Sequence, residues 1–96
     1  MKIEIKNASV IGLHEVTVKT LKGEMVKQTA TLCINTASGA ETHGVEVWGE
    51  DIEKFALTQG EMVNISCRLI GKVWEGRWNY TLSAYFVERI QKEAKQ

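Results

Sequence analysis

Residues 63–86 read VNISCRLIGKVWEGRWNYTLSAYF. From Val63 to Val73 every second residue belongs to the series Val63, Ile65, Cys67, Leu69, Gly71, Val73, and the intervening series is Asn64, Ser66, Arg68, Ile70, Lys72, Trp74. Successive side chains of a strand point to opposite faces, so this stretch presents one apolar and one largely polar face, the pattern of a half-buried β-strand. Glu75-Gly76 follows, and because glycine accepts positive φ at little steric cost it predicts a two-residue hairpin turn. Counting back from that turn pairs Val73 with Trp78, Leu69 with Leu82, Cys67 with Ala84 and Ile65 with Phe86 on the inner face. Tyr80 falls inward opposite Gly71, whose missing side chain leaves room for the ring. On the outer face Trp74 meets Arg77, Lys72 meets Asn79 and Arg68 meets Ser83, with Tyr85 also outward. A slip of one residue would mix the two sets, so strand, turn and strand agree on one register.

The same counting around Ser38-Gly39 predicts a second hairpin, with Ala30 opposite Val47, Leu32 opposite Val45 and Ile34 opposite His43 inside. Thr29 then faces Trp48, and Thr31 faces Glu46, outside. Upstream, Ile3 to Thr20 reads as one long strand with a bulge or bend near Gly12 that lets it serve both sides of a closed sheet. A three-residue loop at Lys22-Gly23-Glu24 would set Lys19 against Lys27 outside and Val16 against Ala30 inside. Glu50 to Thr58 is the helical candidate, with Ile52, Phe55 and Ala56 on one face, carboxylates in the first turn and Gly60 closing it. Three strands, one short helix and two strands make an all-β chain whose expected fold is a five-stranded antiparallel OB-fold barrel, the helix lying between strands three and four and plugging one end. A plain β-sandwich has no need of a helix at that place.

The chain is 96 residues long, which fits one domain with a modest core. It has no proline and its 8 glycines are scattered, so the fold is expected over residues 1–90, with 91–96 a short C-terminal tail. The first residues alternate charge with apolar side chains and no run reaches membrane-spanning length, which reads as a soluble, cytoplasmic chain. Cys33 and Cys67 lie in strand-like segments without CxxC or His spacing, so they read as structural thiols and not zinc ligands. His14 and His43 have no neighbouring pattern that builds a triad or a metal site. The sequence therefore suggests neither an enzyme nor a cofactor. Lys and Arg total 12 and Asp and Glu total 12, so attraction to a polyanion requires the cations to gather on one face.

Several segments resemble the bacterial single-stranded DNA-binding protein family and its small OB-fold relatives. Val45-Glu46-Val47-Trp48-Gly49 resembles the family's third strand, which ends in an aromatic followed by glycine, and Gln59-Gly60-Glu61 resembles its entry to strand four. Val63 to Trp74 is similar to strand four itself, with Arg68-Leu69, Lys72 and Trp74 where the family places Arg-Leu, a cation and a tryptophan. Glu88-Arg89-Ile90 resembles the end of its fifth strand. The resemblance implies that Trp48 and Trp74 stack bases and that Arg68 and Lys72 contact the backbone of single-stranded DNA. It also implies a homo-oligomer, dimer or tetramer, working in DNA replication, repair or mobile-element maintenance. The departures are a short connection at Ala37 to Glu41, Thr42 where a further tryptophan is common, and Gln91 to Gln96 in place of an acidic tail, which imply a shorter site.

Read from the residues alone, the expected outer face collects Trp48, Trp74, Lys19, Lys27, Arg68, Lys72 and Arg77 against Glu46 and Glu75, a locally positive patch hidden by the neutral total. Sequence-tolerant binding of a single strand needs aromatic platforms and a cationic track, and this set supplies both. Trp78 and Phe86, expected inward, read as core. The competing assignments are a protein-interaction or oligomerisation module that uses the same aromatics, and RNA binding through the same barrel face.

Overall fold

The computed structural model describes residues 1–90, and the tail expected over 91–96 lies outside the described residues. The elements are β1 (Lys2–Thr20), β2 (Gly23–Thr36), β3 (Gly39–Trp48), α1 (Asp51–Phe55), β4 (Met62–Trp74) and β5 (Arg77–Arg89). The strands close into a barrel in the order β1-β2-β3-β5-β4. This is the expected OB barrel with one correction, because β3 and β5 run parallel and the barrel is mixed. Five strands closed in a ring cannot alternate direction all the way round, so one neighbouring pair must be parallel.

The three hairpins turn by two different devices. At the β4–β5 turn Glu75 and Gly76 both have positive φ, 51° and 78°, the backbone of a type I′ turn, and Trp74 pairs with Arg77 as expected. The other two turns share the pattern Thr-x-x-Gly. Thr20 and Thr36 each donate through Oγ1 to the carbonyl of the glycine three residues on, at 2.7 and 2.8 Å, and each Oγ1 accepts the amide N–H of the residue between, Lys22 or Ser38, at 3.2 Å. The turn residues are thus Leu21-Lys22 and Ala37-Ser38, and Gly23 and Gly39 open the returning strands at φ 111° and 124°.

This moves both expected registers. In β2–β3 the slip is two residues: Ala30 pairs with Val45, Leu32 with His43, Ile34 with Glu41, Thr29 with Glu46, Thr31 with Gly44 and Lys27 with Trp48. An even slip keeps every side chain on its expected face. In β1–β2 Lys19 pairs with Glu24, Val16 with Lys27 and Leu13 with Ala30, so Lys19 and Lys27 are not neighbours. The bulge expected near Gly12 is present, between Val10 and Gly12, and a second irregularity lies between Ile5 and Ala8, where Asn7 has φ 55°. Between them they let β1 pair with β4 at one end and β2 at the other.

Val10, Leu32, Val45, Val47, Val63, Ile65 and Cys67 fill the barrel and are sealed from solvent. α1 is shorter than expected. Ala56 turns left-handed, φ 47°, ends the helix and points out, so Leu57 takes the core position that the helical spacing had given to Ala56. Arg89, near the end of β5, fastens this end of the barrel: its guanidinium donates to the carbonyls of Phe55 and Ala56, the latter at 2.7 Å, and to Glu61 at 3.0 Å. Such a fork satisfies carbonyls that the last turn of a helix leaves without intrahelical partners.

Candidate nucleic-acid interface

β4 and β5 outrun the barrel. β5 pairs with β3 only at Val45–Leu82 and Glu46–Ser83, while it stays paired with β4 as far as Trp74–Arg77. Beyond Leu69 and Leu82 the hairpin is therefore a two-stranded ribbon with no wall opposite it, one contributor to extents of 52 × 31 × 20 Å. One face of the ribbon and the adjoining barrel carries Arg68, Ile70, Lys72 and Trp74 from β4 in line, opposite Ser83, Thr81, Asn79 and Arg77 from β5. At about 3.3 Å per residue this row spans about 20 Å.

Three of the expected site residues come together. Lys27, Trp48 and Lys72 line a depression of about 510 Å³ that also touches Glu46, Ile70 and Ser83. The observed register explains the grouping, because it brings Lys27 opposite Trp48 in place of Thr29. The Lys27 ammonium lies 5.6 Å from the centre of the Trp48 ring, and both side chains meet Glu46: Lys27 Nζ at 3.2 Å and the indole N–H at 3.1 Å. The indole is half-buried with its edge held by Glu46, which orients the ring without enclosing it.

The other four expected residues stand apart from this depression. Trp74, 70% exposed, and its cross-strand partner Arg77 sit at the ribbon tip. Arg68 is nearer the barrel, with its guanidinium 6.0 Å from the Tyr85 ring; Lys2, its partner across β1–β4, is also 6.0 Å from that ring. Lys19 lies at the tip of the β1–β2 hairpin beside Glu24.

The inward assignments of three aromatic residues, Phe86, Trp78 and Tyr80, are overturned. A bulge between Ser66 and Cys67 shifts the β4–β5 register by one, so Ile65 pairs with Val87, not Phe86, and Phe86 turns outward, 55% exposed. Trp78 keeps its expected partner Val73, yet it is 65% exposed, because at that height there is no interior to enter. Tyr80 is also exposed, 62%, and its ring does occupy the space over Gly71, where a Cβ would come within 2.8 Å of it. The Trp78 and Tyr80 rings lie near-parallel, 16° apart with centroids 6.2 Å apart. Sequence reasoning left both out of the site; the signal that marks them is strand length, since 13-residue strands exceed what a barrel of this size can enclose.

His43 is half-buried and contacts Glu41 at 3.2 Å, and Cys33 and Cys67 carry no disulfide. Among the described residues there is no group of three or more His, Cys, Asp or Glu side chains able to hold a metal ion, and no helix is long and apolar enough to cross a membrane.

No family model matches the chain, and no curated protein matches it by sequence. Solved structures do resemble it. One crystal form of the mitochondrial single-stranded DNA-binding protein Rim1 of S. cerevisiae superposes with a TM-score of 0.66 at 14% identity, covering 97% of this chain and 98% of that one. A second crystal form gives 0.65 at 16% identity, covering 97% of each. At such identities the likeness shows the fold alone, a five-stranded OB barrel.

Proposed function

We propose that this protein binds single-stranded DNA with little sequence preference and performs no chemistry on it. The observation that carries this is the depression between β3 and the ribbon, where an oriented, half-exposed indole, Trp48, stands with Lys27 and Lys72 on one concave surface. A base offers a π-face whatever its identity, and stacking on a protein aromatic is worth about 1–3 kcal/mol per base. Across the ribbon Lys72 pairs with Asn79, and among the described residues it makes no ion pair, which leaves its charge available to a phosphate. From the depression the row continues to Trp74 and Arg77 in one direction and Arg68 in the other, giving a second platform and two more cations along one track. Lys19 pairs with Glu24 and points to the opposite face of the β1–β2 hairpin from Lys27, so it has no part in this track. The likeness to structures of single-stranded DNA-binding proteins supports the same assignment.

The test is fluorescence titration with short oligodeoxynucleotides at two salt concentrations, with oligoribonucleotides alongside. Tryptophan emission is expected to be quenched and affinity to fall as salt rises. Trp48→Ala is expected to weaken binding about 5- to 150-fold, the equivalent of one stacked base. Lys72→Ala should weaken it and flatten the salt dependence by about 0.7, the slope of one phosphate contact to a single strand. Binding unchanged in both variants would remove this surface from the function, and tighter binding to RNA would replace DNA as the ligand.

A further inference from the structure

On the other side of the short β3–β5 junction lies a second, larger hollow of about 620 Å³, walled by Ile3, Ile34, Leu69, Tyr80 and Leu82 with His43 at its rim. The junction is only two residue pairs wide, and Glu46 and Thr81 border both hollows. The two therefore adjoin, as halves of one surface, across this narrow junction, the saddle between them. The halves differ in chemistry: the first holds Lys27 and Lys72, whereas the second is mainly apolar, its lysine, Lys6, lying 3.8 Å from the Glu4 carboxylate, and leads onto the near-parallel Tyr80 and Trp78 rings, both more than half exposed.

We propose that the apolar half is a second base-accepting subsite, in which a single strand anchored by its phosphates in the first hollow crosses Glu46 and Thr81 and stacks its next bases on Tyr80 and Trp78. The inference rests on the single-strand reading of the first hollow and extends it to the opposite face of the ribbon. The division of labour follows from solvation. A phosphate loses its hydration shell in an apolar cleft without compensation, whereas an unstacked base gains by leaving water for an aromatic face. A strand that crosses the saddle can keep its phosphates toward solvent and turn its bases inward. The Tyr80 ring lies in the space that Gly71 leaves open, and any side chain there would displace it.

Subsites in series make a length-dependent prediction. OB folds engage about 4 to 16 nucleotides, so an oligonucleotide of about 4 should fill the first hollow and one of about 16 should reach both. The double variant Trp48→Phe/Trp74→Phe keeps a ring at both positions and leaves Trp78 as the sole tryptophan, read by excitation beyond the tyrosine absorption band. Its emission is expected to be quenched by the longer oligonucleotide and not by the shorter. In the otherwise native chain, Trp78→Ala and Tyr80→Ala should each weaken the longer ligand about fivefold or more while leaving the shorter one unchanged. Trp78→Ala guards against misfolding in the second variant, because removing an exposed indole uncovers no glycine.

If both oligonucleotides bind, Trp78 stays unquenched and neither substitution matters, this inference fails and the first hollow stands. If neither binds, the single-strand reading fails and takes this inference with it. Trp78 emission that shifts with protein concentration in the absence of DNA, together with a dimer by sedimentation, would mean that a second copy covers the cleft, and would also overturn the proposal.

Discussion

The barrel wall and the ribbon that leaves it have the same alternation and opposite surroundings. Along β4, Val63, Ile65 and Cys67 are at most 1% exposed, while Val73, continuing the same series, is 55% exposed. Across the hairpin, Ala84 is 5% exposed and Trp78, on the same face, is 65% exposed. Backbone conformation and hydrogen-bond ladder persist through the change. What is lost is an opposing wall, and burial depends on that wall as much as on the residue. Alternation therefore assigns a side chain to a face, and only the extent of the closed sheet says whether that face is an interior. A large apolar residue past the last enclosed pair is surface, and large exposed aromatics mark surfaces that bind.

The strongest way to break this comparison is to truncate one residue from each region. Ile65→Ala removes atoms packed on all sides and is expected to cost about 2–5 kcal/mol, read as a lower urea midpoint. Trp78→Ala removes more atoms and is expected to change stability by under about 0.5 kcal/mol. Equal losses would show that the ribbon is enclosed in solution by something other than its own chain. Next in size is Arg89→Ala, which leaves the helix-end carbonyls of Phe55 and Ala56 without their donor and frees Glu61; about 1–3 kcal/mol is expected. A loss no larger than that of Trp78→Ala would mean that water replaces the guanidinium without penalty.

Most of the fold was legible because it rests on local rules. Strand order, helix position, the Glu75-Gly76 turn and the bulge near Gly12 all follow from alternation and from where glycine falls. The hairpin registers were less legible, for a chemical reason. Thr20 and Thr36 close their turns through the hydroxyl, which makes the glycine the first residue of the return strand and not part of the turn. The error cost nothing at Trp48, since a slip of two preserves its face, but it hid the partner Lys27. The Phe86 error came from a bulge with no glycine or proline to announce it. Trp48, Lys27 and Lys72 were each expected on the outer face, but their grouping in one depression was hidden by the wrong registers, and Trp78 and Tyr80 were read as inward because their exposure depends on where the barrel stops.

At the seam between wall and ribbon, the comparison is sharpened by Glu46. Its carboxylate binds Lys27 Nζ and the Trp48 indole N–H at once, with both side chains of the ion pair largely shielded, 25% and 21% exposed. A phosphate approaching Lys27 thus competes with a charge already in place. Glu46→Gln keeps an oxygen for the indole and removes that competitor. It is expected to tighten single-strand binding several-fold and to steepen the salt slope by about 0.7, the signature of one more neutralised phosphate. A tighter complex with no change in slope would mean that Glu46 acts on Trp48 alone.

The smallest expected effect separates a group inside the wall from one at its margin. Burial pushes the Cys67 thiol up from 9.0 to about 11, because a thiolate sealed in an apolar barrel loses its hydration. The unfolded chain releases this proton near 9.0, while the folded chain holds it until about 11, so in that window the unfolded state binds fewer protons. Stability contributed by the neutral thiol is then complete below 9.0 and is lost as pH rises through about 11. The measurement is a difference: the urea midpoint of the native chain should decline more steeply between 9.0 and 11 than that of Cys67→Ala. Thiol alkylation supplies the complementary contrast. Half-buried Cys33 should react in the native state, and Cys67 only as fast as the barrel opens. Equal alkylation rates would mean that the β4 side of the wall opens as readily as its margin, and the distinction between wall and ribbon would then be one of degree.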